Sequence, residues 1–198
     1  MRKLNALLAG CLLAATVAMP AAAQKSVYTA VLNGPSESPA NTSPGTGSAT
    51  VTIDSDLSTM RVQESFSGLL AGVTASHIHC CTTIADTGTA SVATRTPTFL
   101  DFPSDVTAGS YDRTFDMTLA SSYNAPFVTA NGGINGAFLA LMTGLNGGNA
   151  YVNIHTGLFP MGEIRGFLHA APVPEPEIYA MLLAGLAIIG AVARRRRT

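Results

Sequence analysis

The chain has 198 residues, 47% of them hydrophobic and only 12% charged, with a net charge of −1. Six of the eleven basic residues lie in the terminal segments, so residues 24–171 carry five basic against ten acidic side chains, a net −5. An acidic stretch with no basic stripe argues against a nucleic-acid partner, and about 150 residues bury enough surface to fold as one domain without disulfide staples.

The N-terminus reads as an export signal. Arg2 and Lys3 precede an apolar run from Leu4 to Ala18, and Ala21-Ala22-Ala23 offers a small-residue cleavage site before Gln24. This is the pattern of a secretory signal peptide over residues 1–23. Leu8-Ala9-Gly10-Cys11 also spells a lipobox, but only seven residues, Leu4 to Gly10, would form its apolar core. The apolar character continues to Ala23, which favours cleavage there.

Strand signals follow. Val27 to Leu32 is rich in β-formers and stops at Asn33-Gly34-Pro35, a turn sequence. After a loop at 33–48 rich in Pro, Ser, Gly and Asn, apolar positions alternate at Ala49, Val51 and Ile53, then at Met60, Val62 and Phe66. A second irregular stretch, 82–110, leads to the same alternation at Phe115, Met117 and Leu119. One helix is predicted, from Ile134 to Leu145 between two Gly-Gly pairs. Short strands with Gly- and Pro-rich turns predict an all-β antiparallel sandwich or barrel with one short helix.

Two segments carry the candidate chemistry. In Ser76-His77-Ile78-His79-Cys80-Cys81 an extended backbone puts His77 and His79 on one face, and in Tyr151-Val152-Asn153-Ile154-His155 it groups Tyr151, Asn153 and His155. Glu163 and Arg165 are expected to share a face after the turn at Pro160-Met161-Gly162. Two readings stand open. One is a zinc or copper site built from His77, His79 and His155, with Glu163 or Cys80 as a further ligand. The other is a structural polar cluster of Asn153, His155, Glu163 and Arg165, in which Glu163 bonds a histidine and pairs with Arg165. Cys80 and Cys81 form either a vicinal disulfide or a reduced pair in an oxidising compartment, with thiolate ligation a third option. No nucleophile elbow, phosphate loop or His-Glu-x-x-His helix is present, so no enzyme activity is expected.

The C-terminus carries a second sorting pattern. Pro174-Glu175-Pro176 leads into 16 apolar residues, 178–193, and then Arg194, Arg195, Arg196 and Arg197. At ~1.5 Å per residue the run rises about 24 Å, short of a ~30 Å hydrocarbon core, so it spans only with flanking help. Read as a stop-transfer helix it anchors the chain transiently in the inner membrane with the arginines inside. The tail, 172–198, also resembles the PEP-CTERM sorting signal of Gram-negative bacteria. That resemblance implies export through the Sec machinery, cleavage by an exosortase near the triplet, and delivery to the cell surface or extracellular matrix.

Between the two signals, His77-Ile78-His79, Tyr151-Val152-Asn153-Ile154-His155-Thr156 and Gly162-Glu163-Ile164-Arg165-Gly166 resemble the CHRD (chordin-type) domain, as does the opening Tyr28 to Gly34. The resemblance covers about residues 27–169 of a domain placed at 24–171. It implies an immunoglobulin-like β-sandwich. Cys80-Cys81 departs from the family pattern, in which a glycine often follows the second histidine. Together these readings lead to an exported surface or exopolysaccharide-matrix protein with a structural or binding domain that contacts exopolysaccharide or other matrix proteins. The alternative is a zinc- or copper-binding redox or metal-handling protein.

Overall fold

The computed structural model describes residues 25–172 and 176–196, the side chains of 176–180 excepted. The signal peptide, the lipobox at Cys11, and Pro174, Glu175 and Arg197 of the tail lie outside the described residues.

Period-two alternation builds the first half of the sheet. Strand β1 (Lys25–Asn33) buries Tyr28, Ala30 and Leu32 and turns Thr29 and Val31 outward. Strand β2 (Thr46–Asp54) buries Ala49, Val51 and Ile53, and β3 (Thr59–Ser67) buries Met60, Val62 and Phe66. Each large side chain moved out of water contributes roughly 1.5–3 kcal/mol. Turn chemistry sets the breaks between them. Asn33 accepts the Ser36 N–H at 2.9 Å to end β1, and Asp54 accepts the Leu57 N–H at 3.1 Å between β2 and β3.

With β4 (Val73–His79), β5 (Gly109–Asp116), β6 (Tyr151–Thr156) and β7 (Ile164–Phe167), these strands form one sheet in the order β4-β6-β7-β1-β2-β3-β5. Neighbours are antiparallel throughout, and the short β8 (His169–Ala170) lies along β1. The sheet curls like a barrel. Ser76 on β4 bonds Glu64 on β3 at 3.0 Å although four strands separate the two in the order.

Helix α1 (Ala125–Ala130) has six residues, too few to show a helical period in the sequence. Helix α2 (Ile134–Asn146) falls where the spacing predicts it and packs Ala137, Leu141 and Leu145 on the core. The Tyr28 hydroxyl donates to Asn146 Oδ1 at 2.6 Å, which ties this helix to β1.

Strands β4, β6 and β7 differ from the rest because both of their faces are covered. Ile78, Val152, Ile154 and Ile164 fill the core side, while His77, Tyr151, Asn153 and Arg165 are buried on the other. The loops at 34–45, 80–108 and 157–163 fold over that second face and hydrogen-bond to it.

The tail helix α3 (Pro176–Arg195) has exposed apolar side chains from Met181 to Val192. Among the described residues no helix is long and apolar enough to cross a membrane. The apolar run at 178–193 has 16 residues, fewer than the ~20 of an unassisted span.

Candidate metal centre

Strand register assembles the site. His77 lies opposite Asn153 and His79 opposite Tyr151 across β4 and β6, with Ala75 opposite His155. Across β6 and β7, Asn153 faces Arg165 and Tyr151 faces Phe167. Side chains two apart on a strand share a face, so all of these lie on the covered face. The ring centroids of His77 and His79 are 5.3 Å apart, and those of His77 and His155 are 4.8 Å apart. One ring nitrogen from each of His77, His79 and His155 lies within 4.8 Å of the others. Nitrogens on one tetrahedral ion stand about 3.3 Å apart at ~2.0–2.1 Å bond lengths, so capture draws the rings together by an ångström or so.

Backbone carbonyls from the covering loops meet each ring. His77 Nε2 donates to Pro97 O at 2.9 Å and His79 Nδ1 to Ala90 O at 2.7 Å, while His155 Nδ1 meets Pro160 O at 2.9 Å. A carbonyl oxygen only accepts, so His77 Nε2 and His79 Nδ1 carry the hydrogen and the opposite nitrogen of each ring holds a lone pair, whereas His155 meets an oxygen on both sides, Pro160 O and Asn153 Oδ1. His77 Nδ1 and His79 Nε2 are buried and have no hydrogen-bond partner. Burial, then the neighbouring His155 and His79, push the His77 imidazole down to about 3. Burial likewise lowers His79 and His155. All three rings are therefore neutral at pH 7, the form that binds metal.

The surround holds the rings in place. Tyr151 stacks on His79 with centroids 4.8 Å apart, and its hydroxyl meets Ala90 N and Ala90 O at 3.3 Å each. The Arg165 guanidinium lies 4.7 Å over Tyr151 and 5.5 Å over Phe167. It donates to Ser36 O and Gly88 O, and its Nε stands 3.9 Å from Glu37. Burial, opposed by Arg165, pushes the Glu37 carboxyl up to about 7. Sequence reasoning missed Glu37, a lone acidic residue in an otherwise uncharged loop.

Glu163 is placed elsewhere, which corrects both roles proposed for it. Its Oε1 accepts from Ser43 Oγ at 2.6 Å and the Leu70 N–H at 2.7 Å, and its Oε2 accepts from Thr156 Oγ1 at 2.6 Å. The reason is local: β7 begins at Ile164, so Glu163 precedes the strand and does not share a face with Arg165. Arg165 pairs with Glu37, and Asn153 Oδ1 lies 3.0 Å from His155 Nε2, so the expected links of Glu163 to a histidine and to Arg165 are not formed. Cys80 and Cys81 are joined in a disulfide against α2, with both sulfurs near Ala140 O, so neither offers a thiolate to the histidines.

No curated protein and no solved structure matches the chain. Two protein families do. The PEP-CTERM protein-sorting motif matches residues 172–197, and the CHRD domain matches 28–168, which takes in the sheet except the first three residues of β1 and the short β8, together with every residue of the histidine centre. The chain belongs to the CHRD domain family and ends in a PEP-CTERM sorting motif, the signal of an exosortase-sorted protein exported to the cell envelope of Gram-negative bacteria.

Proposed function

We propose that this is a metal-handling protein of the cell surface or exopolysaccharide matrix, with a CHRD domain that binds zinc or copper through His77, His79 and His155. One observation carries the reading. Two carbonyls take the outward ring hydrogens of His77 and His79, so two unpartnered lone pairs converge beside His155, where a purely structural cluster would place alternating donors and acceptors. A buried acceptor without a donor costs roughly 1–3 kcal/mol, and His77 Nδ1 and His79 Nε2 both stand that way. A cation removes that cost. Carbonyl partners on the far nitrogen are also how metal-binding histidines are held in tautomer and orientation. Imidazole suits zinc and copper alike, and either ion stabilises the fold by binding only the native state. The sorting tail supports delivery of this centre to the outside of the cell.

The test is elemental analysis of protein exported to the periplasm and purified without chelator, beside a His77→Ala/His79→Ala variant. The expected result is near-stoichiometric zinc or copper in the parent and none in the variant. Equal metal in both, or none in either after reconstitution with each ion, would leave the histidines as packing groups and return attention to matrix partners.

A further inference from the structure

Asn153 lies between the histidines and the buried carboxylate of Glu37. Its Oδ1 stands 3.0 Å from His155 Nε2, while the Nδ1 of the same ring meets Pro160 O at 2.9 Å. A neutral imidazole has one N–H. With that hydrogen on Nδ1, an amide oxygen and a ring lone pair face each other with no hydrogen to share. A cation beside both turns this opposition into coordination. Two atoms that each sit ~2.0–2.2 Å from one tetrahedral ion stand roughly 3.4 Å apart, so the 3.0 Å between Oδ1 and Nε2 needs only a small opening.

The other end of the amide points at Glu37. The place a Cβ would take on Gly162 lies 2.4 Å from Glu37 Oε1 and 2.8 Å from Asn153 Nδ2, so the two groups face each other across a residue that must be glycine. Gly162 also holds φ 124°, a conformation that side chains disfavour. Glu37 Oε1 is buried without a hydrogen-bond partner, in a residue only 7% exposed. No hydrogen bond joins Nδ2 and Oε1, but a donor facing a buried acceptor across Gly162 favours the amide orientation that leaves Oδ1 toward the histidines. Arg165 steadies the carboxylate from its far side.

We propose that Asn153 Oδ1 is the fourth metal ligand and that Glu37 is its positioning residue, which makes the centre a closed three-nitrogen, one-oxygen site without a bound water. This rests on the three-histidine reading above. Four protein ligands are the arrangement of storage and structural sites, whereas catalytic sites leave a position open. The centre then holds its ion and does not present it to a substrate.

Cobalt(II) bound to the full exported chain tests this, with azide as a probe for an open position. The expected parent spectrum is the intense visible absorption of four-coordinate cobalt, unchanged by azide. Asn153→Ala is expected to become azide-sensitive and to bind zinc ~10–100-fold more weakly, and Glu37→Ala to lose about tenfold, as outer-shell partners do. An azide response in the parent, or wild-type zinc affinity in Asn153→Ala, overturns the proposal while His77→Ala still abolishes binding. The parent arm decides even where Asn153→Ala does not fold. A parent that takes up neither cobalt nor zinc overturns the histidine reading itself, which is a separate outcome.

Discussion

The two halves of the sheet meet different solvents. Strands β1, β2, β3 and β5 bury one face and leave the other to water, so their outer residues are Thr, Ser, Gln and charged groups such as the Arg61–Asp112 pair. Strands β4, β6 and β7 bury both faces, and polar side chains on their second face have to find partners inside the protein. In the first half, polarity on a strand marks a surface. In the second half it marks a network, and the unpartnered atoms in that network mark the site. Glu37 Oε1, His77 Nδ1 and His79 Nε2 are the buried side-chain atoms left without partners among the described residues, and all three belong to the covered face and its loops.

The sharpest way to break the doubly covered half is through Glu163. It is fully buried and satisfies three donors, on Ser43, Leu70 and Thr156, that tie two loops to β6. Glu163→Ala strands all three, so a loss of about 4 kcal/mol in urea unfolding is expected. Retention of most of the stability would show that water reaches these groups. Ile154→Ala comes next, with an expected loss of about 3 kcal/mol from a cavity on the core side of β6. Its counterpart on the open half, Val31→Ala, changes a side chain that is 73% exposed, and stability there should stay within about 0.5 kcal/mol. Similar losses at the two positions would refute the difference between the halves.

Glu64 is the exception on the open half, an acid placed at an apolar position of β3. Burial pushes its carboxyl up to about 8, although Ser76 favours the charged form. Ser76 Oγ has one hydrogen and three acceptors around it, both Glu64 oxygens and Asn153 O. The consistent arrangement has protonated Glu64 donating to Ser76, which donates on to Asn153. The folded state therefore keeps a proton that the unfolded chain releases near its ordinary value of 4.5. This contribution is complete below pH 4.5, is lost as the pH rises, and levels off above about 8, with a slope of up to about 1.4 kcal/mol per pH unit. Glu64→Gln should flatten that slope between those limits in pH-dependent denaturation. Parent and Glu64→Gln profiles that run parallel between those limits would contradict a neutral Glu64.

Much of this was legible in the sequence. Period-two alternation placed the strands, and the His77-x-His79 and Tyr151-to-His155 segments placed three histidines on strands whose apolar alternates fix them. The remainder was hidden for identifiable reasons. The groups that meet the outward ring nitrogens are carbonyls of Ala90, Pro97 and Pro160, and a main-chain acceptor has no signature in side-chain order. Glu37 reaches the site through the fold, some 40 residues before the nearest histidine. Glu163 was misassigned because strand periodicity was extended one residue past the point where β7 starts.

A modest effect is expected at the end of β4, where a disulfide packs against α2. The Cys80–Cys81 disulfide links adjacent residues, a separation of 1, so it removes little chain entropy and contributes about 1 kcal/mol. Its place in the fold comes from packing: a Cβ on Gly144 of α2 would lie 2.3 Å from Cys80 Sγ and 2.6 Å from Cys81 Sγ. Gly144→Ala forces this rigid pair aside and should cost about 2 kcal/mol, more than the Cys80→Ser/Cys81→Ser change that removes the bond. In thermal melts the double variant should fall by a few °C, about 2–4 for a chain of this size. Reductant should bring the parent down to the same midpoint and leave the variant where it is. A larger fall in the double variant than in Gly144→Ala would mean that the bond, and not the close approach of α2, holds the end of β4 against the helix.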